Sequence, residues 1–143
     1  MKSVSCLVGI ILTLILGSCA AKKDLANSPL YTNTWELEYM SGPKIALDGL
    51  FPDKKPQLTF DKAAGEVRGN SGCNGYSAKF KGQGKDISFG EPGPATMMYC
   101  GEGEHQFLNM LNKINRYSID KEGKLNLMIN EVPIMRFKPI EHH

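Results

Sequence analysis

The hydrophobic period of this chain changes once, and that change limits the folds open to it. Through the first two thirds of the domain, apolar and polar residues alternate in short runs. Thr34 to Met40 (TWELEYM) places Trp35, Leu37 and Tyr39 on one face. Gln57 to Asp61 (QLTFD) turns Leu58 and Phe60 inward, Lys62 to Gly65 reads as a turn, and Glu66 to Asn70 returns as the partner strand. Tyr76 to Lys81 and Asp86 to Phe89 follow on either side of Gly82-Gln83-Gly84. Gly90 to Pro94 then breaks the chain, and Ala95 to Tyr99 is a short apolar stretch expected to be extended. From about 103 to 115, Phe107, Leu108, Leu111 and Ile114 recur at helical spacing, joined by Met110, with Glu102 and Glu104 at the positive end of the helix dipole. Alternation then resumes in Tyr117 to Asp120, in Leu125, Leu127 and Ile129, and in Val132 to Lys138. In that last run Met135 and Phe137 share one face and Ile134 and Arg136 the other. Pro133 is expected near a strand start or at a sheet edge, because it has no N–H for a central ladder. Short connections favour antiparallel pairing. The expected fold class is α+β: β-rich, a curved antiparallel sheet or partly open barrel, with one α-helix at about 103–115 packed against it.

Ahead of this pattern lies a different kind of segment. Lys2 is followed by the uncharged run Cys6 to Leu16 and then by Gly17, Ser18 and Cys19. The order of positive start, apolar stretch and small residues is that of a secretory signal peptide, and the run is too short for the roughly 20 residues of a membrane span. Leu16-Gly17-Ser18-Cys19 resembles the lipobox of bacterial lipoproteins. That resemblance implies cleavage before Cys19 and acylation of Cys19 by diacylglycerol and a further chain such as palmitate. A retained anchor helix, or a plain signal peptide cut elsewhere, is the alternative. Residues 1–18 are thus expected to be signal, 19–30 a polar tether, and 31–139 the domain. Ala20, where the lipoprotein rule places Asp for inner-membrane retention, directs the chain to the outer membrane of a Gram-negative host. The expected location is the cell envelope, on a lipid whose buried methylenes each contribute roughly 0.8 kcal/mol.

What remains, about 125 residues, suits one domain with a real core. The formal charge of +2 is scattered, with no basic stripe, so nucleic acid is not expected as a partner. Of four cysteines, Cys6 leaves with the signal and Cys19 takes lipid, so Cys73 and Cys100 are left in a compartment that permits disulfides. They are expected to pair, closing a loop of about 28 residues worth roughly 3 to 4 kcal/mol in the chain-entropy model; two buried free thiols are the alternative. A metal centre is not expected, since there is no CxxC and His105 is the domain's own histidine. The methionines Met97, Met98, Met110, Met128 and Met135 permit a copper reading but are better read as core filler.

Arg68 to Tyr76 (RGNSGCNGY) places three glycines and two asparagines around one cysteine, a composition that tolerates sharp turns. With Trp35 ahead of it, the succession Gly72-Cys73-Asn74, Thr96-Met97-Met98-Tyr99-Cys100, Glu104 leading Phe107-Leu108 and Leu111, then Tyr117 and Leu125-Asn126-Leu127, resembles the META domain (HslJ-like) family from about Tyr31 to Lys138. The short spacing from Cys100 to Glu104 is a departure. The resemblance implies a small β-rich domain, often membrane-attached or secreted. It also implies links to heat response, antibiotic tolerance and motility, with no established enzymatic activity.

Catalysis finds little support in the residues. His105 lies between Glu104 and Gln106 and reads as a surface residue, no Ser or Cys has a local partner, and Asp61, Glu66, Asp86, Glu91, Glu102 and Glu104 read as solvated carboxylates. Residues 69–75 lack the lysine of a phosphate loop. Gly72 and Asn74 read as turn residues, and turn hydrogen bonds account for Asn70 and Asn74 more simply than a recognition spot. No cofactor is expected. Two functions follow as expectations. One is a lipid-anchored, non-enzymatic envelope protein acting in stress or maintenance through a protein or surface contact. The other is a module holding a lipid or small apolar ligand in a half-open barrel, which requires a cavity lined by Trp35, Phe60, Phe89 or Met98.

Overall fold

The computed structural model describes residues 28–94 and 98–140. The leader, Cys6 and Cys19 therefore lie outside the described residues, as do Ala95, Thr96 and Met97.

In chain order the elements are α1 (Pro29–Thr32), β1 (Thr34–Met40), α2 (Leu47–Leu50), β2 (Gln57–Asp61), β3 (Glu66–Asn70), β4 (Gly75–Gln83), β5 (Asp86–Phe89), β6 (Gly93–Pro94), α3 (Glu102–Leu111), β7 (Arg116–Ile119), β8 (Leu125–Ile129) and β9 (Val132–Ile140). Every pairing is antiparallel. The order β3-β2-β1-β9-β8-β7-β5-β4 returns on itself through β3–β4, so eight strands form a ring, and β6 adds to β4 as a short continuation beside β5. The ring is joined unevenly. β1 and β9 pair over six positions, whereas β5 and β7 share the single pair Asp86–Arg116, supported by the backbone bonds Ile87 N–H to Asn115 O at 3.1 Å and Tyr117 N–H to Lys85 O at 2.9 Å.

The inward positions are those the alternation selects: Trp35, Leu37, Leu58, Phe60, Val67, Tyr76, Ile87, Leu125, Leu127, Met135 and Phe137 are all buried. Helix α3 fills the remaining space. Its Phe107 ring meets Tyr76 on β4 at 5.9 Å and Phe137 on β9 at 6.5 Å, two strands that are not neighbours in the ring. Phe60 stands edge-on to Phe80 at 5.2 Å. Trp35, Phe60, Phe107 and Phe137 are all buried, so side chains of the ring and of the helix pack on its inside.

Several expectations need correction. Tyr39 is 53% exposed, because the β1–β9 register shifts between Leu37 and Tyr39 and hands the inward place to Met40. The helix runs over Glu102–Leu111 and not over 103–115; Asn112 caps it, and the N–H groups of Lys113 and Ile114 reach back only three residues, to Met110 and Leu111. Ile114 stays buried in that tight turn, so the helical spacing of apolar residues outlasts the helix. Pro133 is the second residue of β9, near a strand start as expected; the strand is a central one, between β1 and β8, and a register shift at Leu127/Met128 accommodates the proline opposite Met128. Leu30 is 1% exposed, and its carbonyl accepts the indole N–H of Trp35 at 3.2 Å. The last described strand, β9, runs to Ile140. The stretch expected to be extended at 95–99 contains no described strand; β6 precedes it, and Met98 to Cys100 is irregular.

Candidate functional site

The turn after β3 is built almost entirely from hydrogen bonds of its own residues. Asn70 Oδ1 accepts the Gly72 N–H at 3.0 Å, and the Ser71 N–H donates to Asn74 O at 2.9 Å. Gly72 takes φ +104°, open to glycine and strained for any L side chain, and a Cβ there would come within 2.4 Å of the Phe51 ring. Phe51 also touches Gly103 of α3, where an added Cβ would come within 2.4 Å of Leu50 O. One buried phenylalanine thus holds α2, the turn and the start of α3 together.

Asn74 joins the turn to the segment before α3. Its Oδ1 accepts the Met98 N–H at 3.0 Å, and its Nδ2 donates to Met98 O at 2.7 Å and to Glu104 Oε2 at 2.7 Å. The amide therefore holds Met98 as a strand neighbour would. The other carboxylate oxygen of Glu104 lies against Ser71 Oγ, which also reaches Asn74 O at 2.9 Å. Cys73 and Cys100 form a disulfide with Cα atoms 6.0 Å apart, across 27 positions of sequence. Gly72, Cys73, Asn74 and Cys100, singled out in the sequence, thus meet at one place. The Asn70 side chain makes a bond within the turn, whereas that of Asn74 reaches out of it to Met98 and Glu104. Glu104 is the residue that sequence reasoning misjudged. It is half-buried and bonded to two turn residues, not solvated. Its position one turn into α3, facing a polar turn, was the available signal.

Met98 also differs from expectation. It is 66% exposed, and Tyr99 is 88% exposed, so neither is core. Met135 and Met128 are buried and Met110 half-buried, as core filler would be; Met97 lies outside the described residues. Two hollows flank the Met98–Cys100 ridge. The larger, about 680 Å³, runs along α3 past Tyr76, Pro92, His105 and Leu108; the smaller, about 350 Å³, lies against Leu50, Phe51 and Gly72. Met98, Tyr99, Cys100 and Glu104 border both.

His105 is exposed and within 3.2 Å of the Asn109 side-chain nitrogen. Among the described residues no group of three or more His, Cys, Asp or Glu is placed to hold a metal ion.

Away from this site, charge is organised at turns. Glu66 accepts from Arg68 at 2.7 Å and pairs with Lys79 at 2.8 Å, and these bonds hold its carboxyl down to about 2. Asp120 accepts backbone N–H groups from Lys124 and Glu122 and the side chains of Asn126 and Arg136. The Lys124 bond leads in keeping its carboxyl below the ordinary range, against the opposing effect of burial. Burial drives the phenol of Tyr76 far above its usual range, which removes it as an acid or base.

The model of the META domain family matches residues 28–141. Among solved structures, the chain is similar to a protein from Burkholderia xenovorans determined by NMR. The two are 23% identical with a TM-score of 0.60, over 79% of this chain and 85% of that one. At that identity the likeness shows the fold alone. No curated protein matches the chain.

Proposed function

Since the chain belongs to the META domain family, which is not a known enzyme family, we propose that it is a non-enzymatic, lipid-anchored envelope protein that works by contact, through the ridge carried on its disulfide-tied turn. Cys19 is the lipid attachment residue in this reading, and the domain stands outside the cytoplasm on a short tether. Stress response or envelope maintenance is the setting in which such a contact would act.

The observation that carries the reading is the placement of Met98 and Tyr99. Two large apolar side chains lie in the open while the backbone beneath them is fixed by the Asn74 amide and by Cys100. A rigid, exposed apolar pair loses little conformational freedom on binding, which favours a protein contact. Trp35, Phe107 and Phe137 are fully buried, whereas Met98 and Tyr99 stand in the open, which favours a contact at the surface.

The reading is tested in cells of the native host. Mass spectrometry of the mature protein is expected to find diacylglycerol and an acyl chain on Cys19 and the Cys73–Cys100 bond intact. A photo-crosslinking residue at position 99 is expected to give a discrete protein adduct that one at Lys121, on a distant turn, does not. A chain that keeps its leader and carries no lipid would sink the anchored reading, and no adduct at position 99 would sink the contact.

A further inference from the structure

The chemistry of the contact surface goes further than its existence. We infer that the Met98–Cys100 ridge docks a partner-protein segment in which basic side chains flank apolar ones. The inference rests on the contact reading above and supplies the partner's chemistry.

The charges around the ridge carry it. The larger hollow is lined by Glu102 and Glu104, the smaller by Asp53 and Glu104, and neither is lined by a Lys or Arg. The chain as a whole has 17 Lys and Arg against 15 Asp and Glu, so a surround with three carboxylates, His105 and no Lys or Arg is a local departure from its balance. Glu104 is committed to Ser71 and Asn74. Glu102, exposed on the first turn of α3, and Asp53, exposed near Phe51 in sequence, line different hollows, each of which Met98 and Tyr99 border. A segment lying across the ridge would set apolar side chains on Met98, Tyr99 and Leu108 and place a cation near a carboxylate on either side. The Tyr99 ring, open on its faces, also suits a cation. An anionic bilayer surface meets the wrong charge here, and an acidic segment would be repelled.

The test uses the full chain purified from its envelope in a neutral detergent. The probe is a fluorescein-labelled, end-capped peptide of three leucines flanked on each side by two lysines; the control has glutamates in place of the lysines. Anisotropy titration is expected to show the lysine peptide binding at least about ten-fold more tightly than the control, with affinity falling as salt rises. Tyr99→Ala is expected to weaken it about ten-fold or more, as loss of a central aromatic anchor does. Glu102→Gln and Asp53→Asn are each expected to weaken it about three-fold and to flatten the salt dependence. All three side chains are exposed, and an unchanged melting temperature confirms that each variant folds. Equal binding of the two peptides, lost in Tyr99→Ala, overturns the basic partner while the contact reading stands. Binding of neither peptide, or binding indifferent to Tyr99→Ala, overturns the inference at this ridge. Preference for phosphatidylglycerol vesicles over phosphatidylcholine ones, with no peptide binding, overturns it in favour of a membrane surface. The contact reading itself fails separately, by the absence of a position-99 adduct in cells.

Discussion

At the scale of single residues, positions with no side chain and positions with a short amide decide most. Gly69 sits in β3 so close to β2 that an added Cβ would lie 1.8 Å from Gln57 O. Gly123 has φ +75°, and an added Cβ there would meet nothing within 4 Å. Gly123→Ala is therefore expected to cost about 1 to 2 kcal/mol, the left-handed backbone cost. Gly69→Ala should cost about 3 kcal/mol or more, since backbone must move. Urea denaturation of the two variants checks the order; equal midpoints would count against the packing account. Asn74→Asp sets a second carboxylate against Glu104 and loses the donor to Met98 O, for a cost of about 2 to 4 kcal/mol. Adding Glu104→Gln restores a donor between the two side chains and is expected to recover part of that loss, which a double-mutant cycle measures. The sequence marked Gly72 and Asn74 as turn residues because glycine and asparagine have few reasons to alternate around a cysteine. It did not show Glu104 as their partner. That contact spans 30 positions and exists only once α3 has docked.

At the scale of elements, alternation found the strands and missed their irregularities. β1, β2, β3 and β5 have the expected bounds, because each is a short run with one face inside. Tyr39 was misplaced because it lies next to a register shift in the pairing with β9, and a shift is settled by the partner strand. Helix α3 was legible from Phe107, Leu108 and Leu111, but its end was not, since Ile114 keeps the period while the backbone already turns toward β7. Phe107→Ala removes the ring that bridges Tyr76 and Phe137 and is expected to cost about 3 to 5 kcal/mol. Leu108→Ala, on the half-buried side of the same helix, should cost clearly less. Thermal unfolding of the pair measures the difference, and a smaller loss for Phe107→Ala would refute the placement of α3 as the plug of the ring.

At the scale of the whole molecule, the ring, the plug and the staple act as one unit. Reduction of Cys73–Cys100 releases a constraint across 27 positions, and stability to urea is expected to fall by about 2 to 4 kcal/mol in reducing buffer; a Cys73→Ser, Cys100→Ser variant should match the reduced protein and not respond to reductant. Acid acts through the paired carboxylates. Glu66 has a folded value of about 2 against 4.5, so its stabilisation is fully present above about pH 4.5 and is lost as pH falls from there toward 2. Asp120, also lowered, loses its share over the same acid side. Urea midpoints are expected to hold above pH 5 and drop below it, with a shallower drop in Glu66→Gln; a midpoint that rises on acidification would contradict this. The sequence alone determined most of the strands, the stretch that becomes α3, and that Cys73 and Cys100 were available to join, because period and composition are local properties of a chain; it did not mark the short α1 and α2 or the two-residue β6. Tertiary structure decided the rest: that the sheet closes through β3 and β4, that α3 fills its inside, and that Met98 and Tyr99 stand outside on a backbone fixed by Asn74. Each of those depends on which distant residues meet, and only the packed chain brings them together.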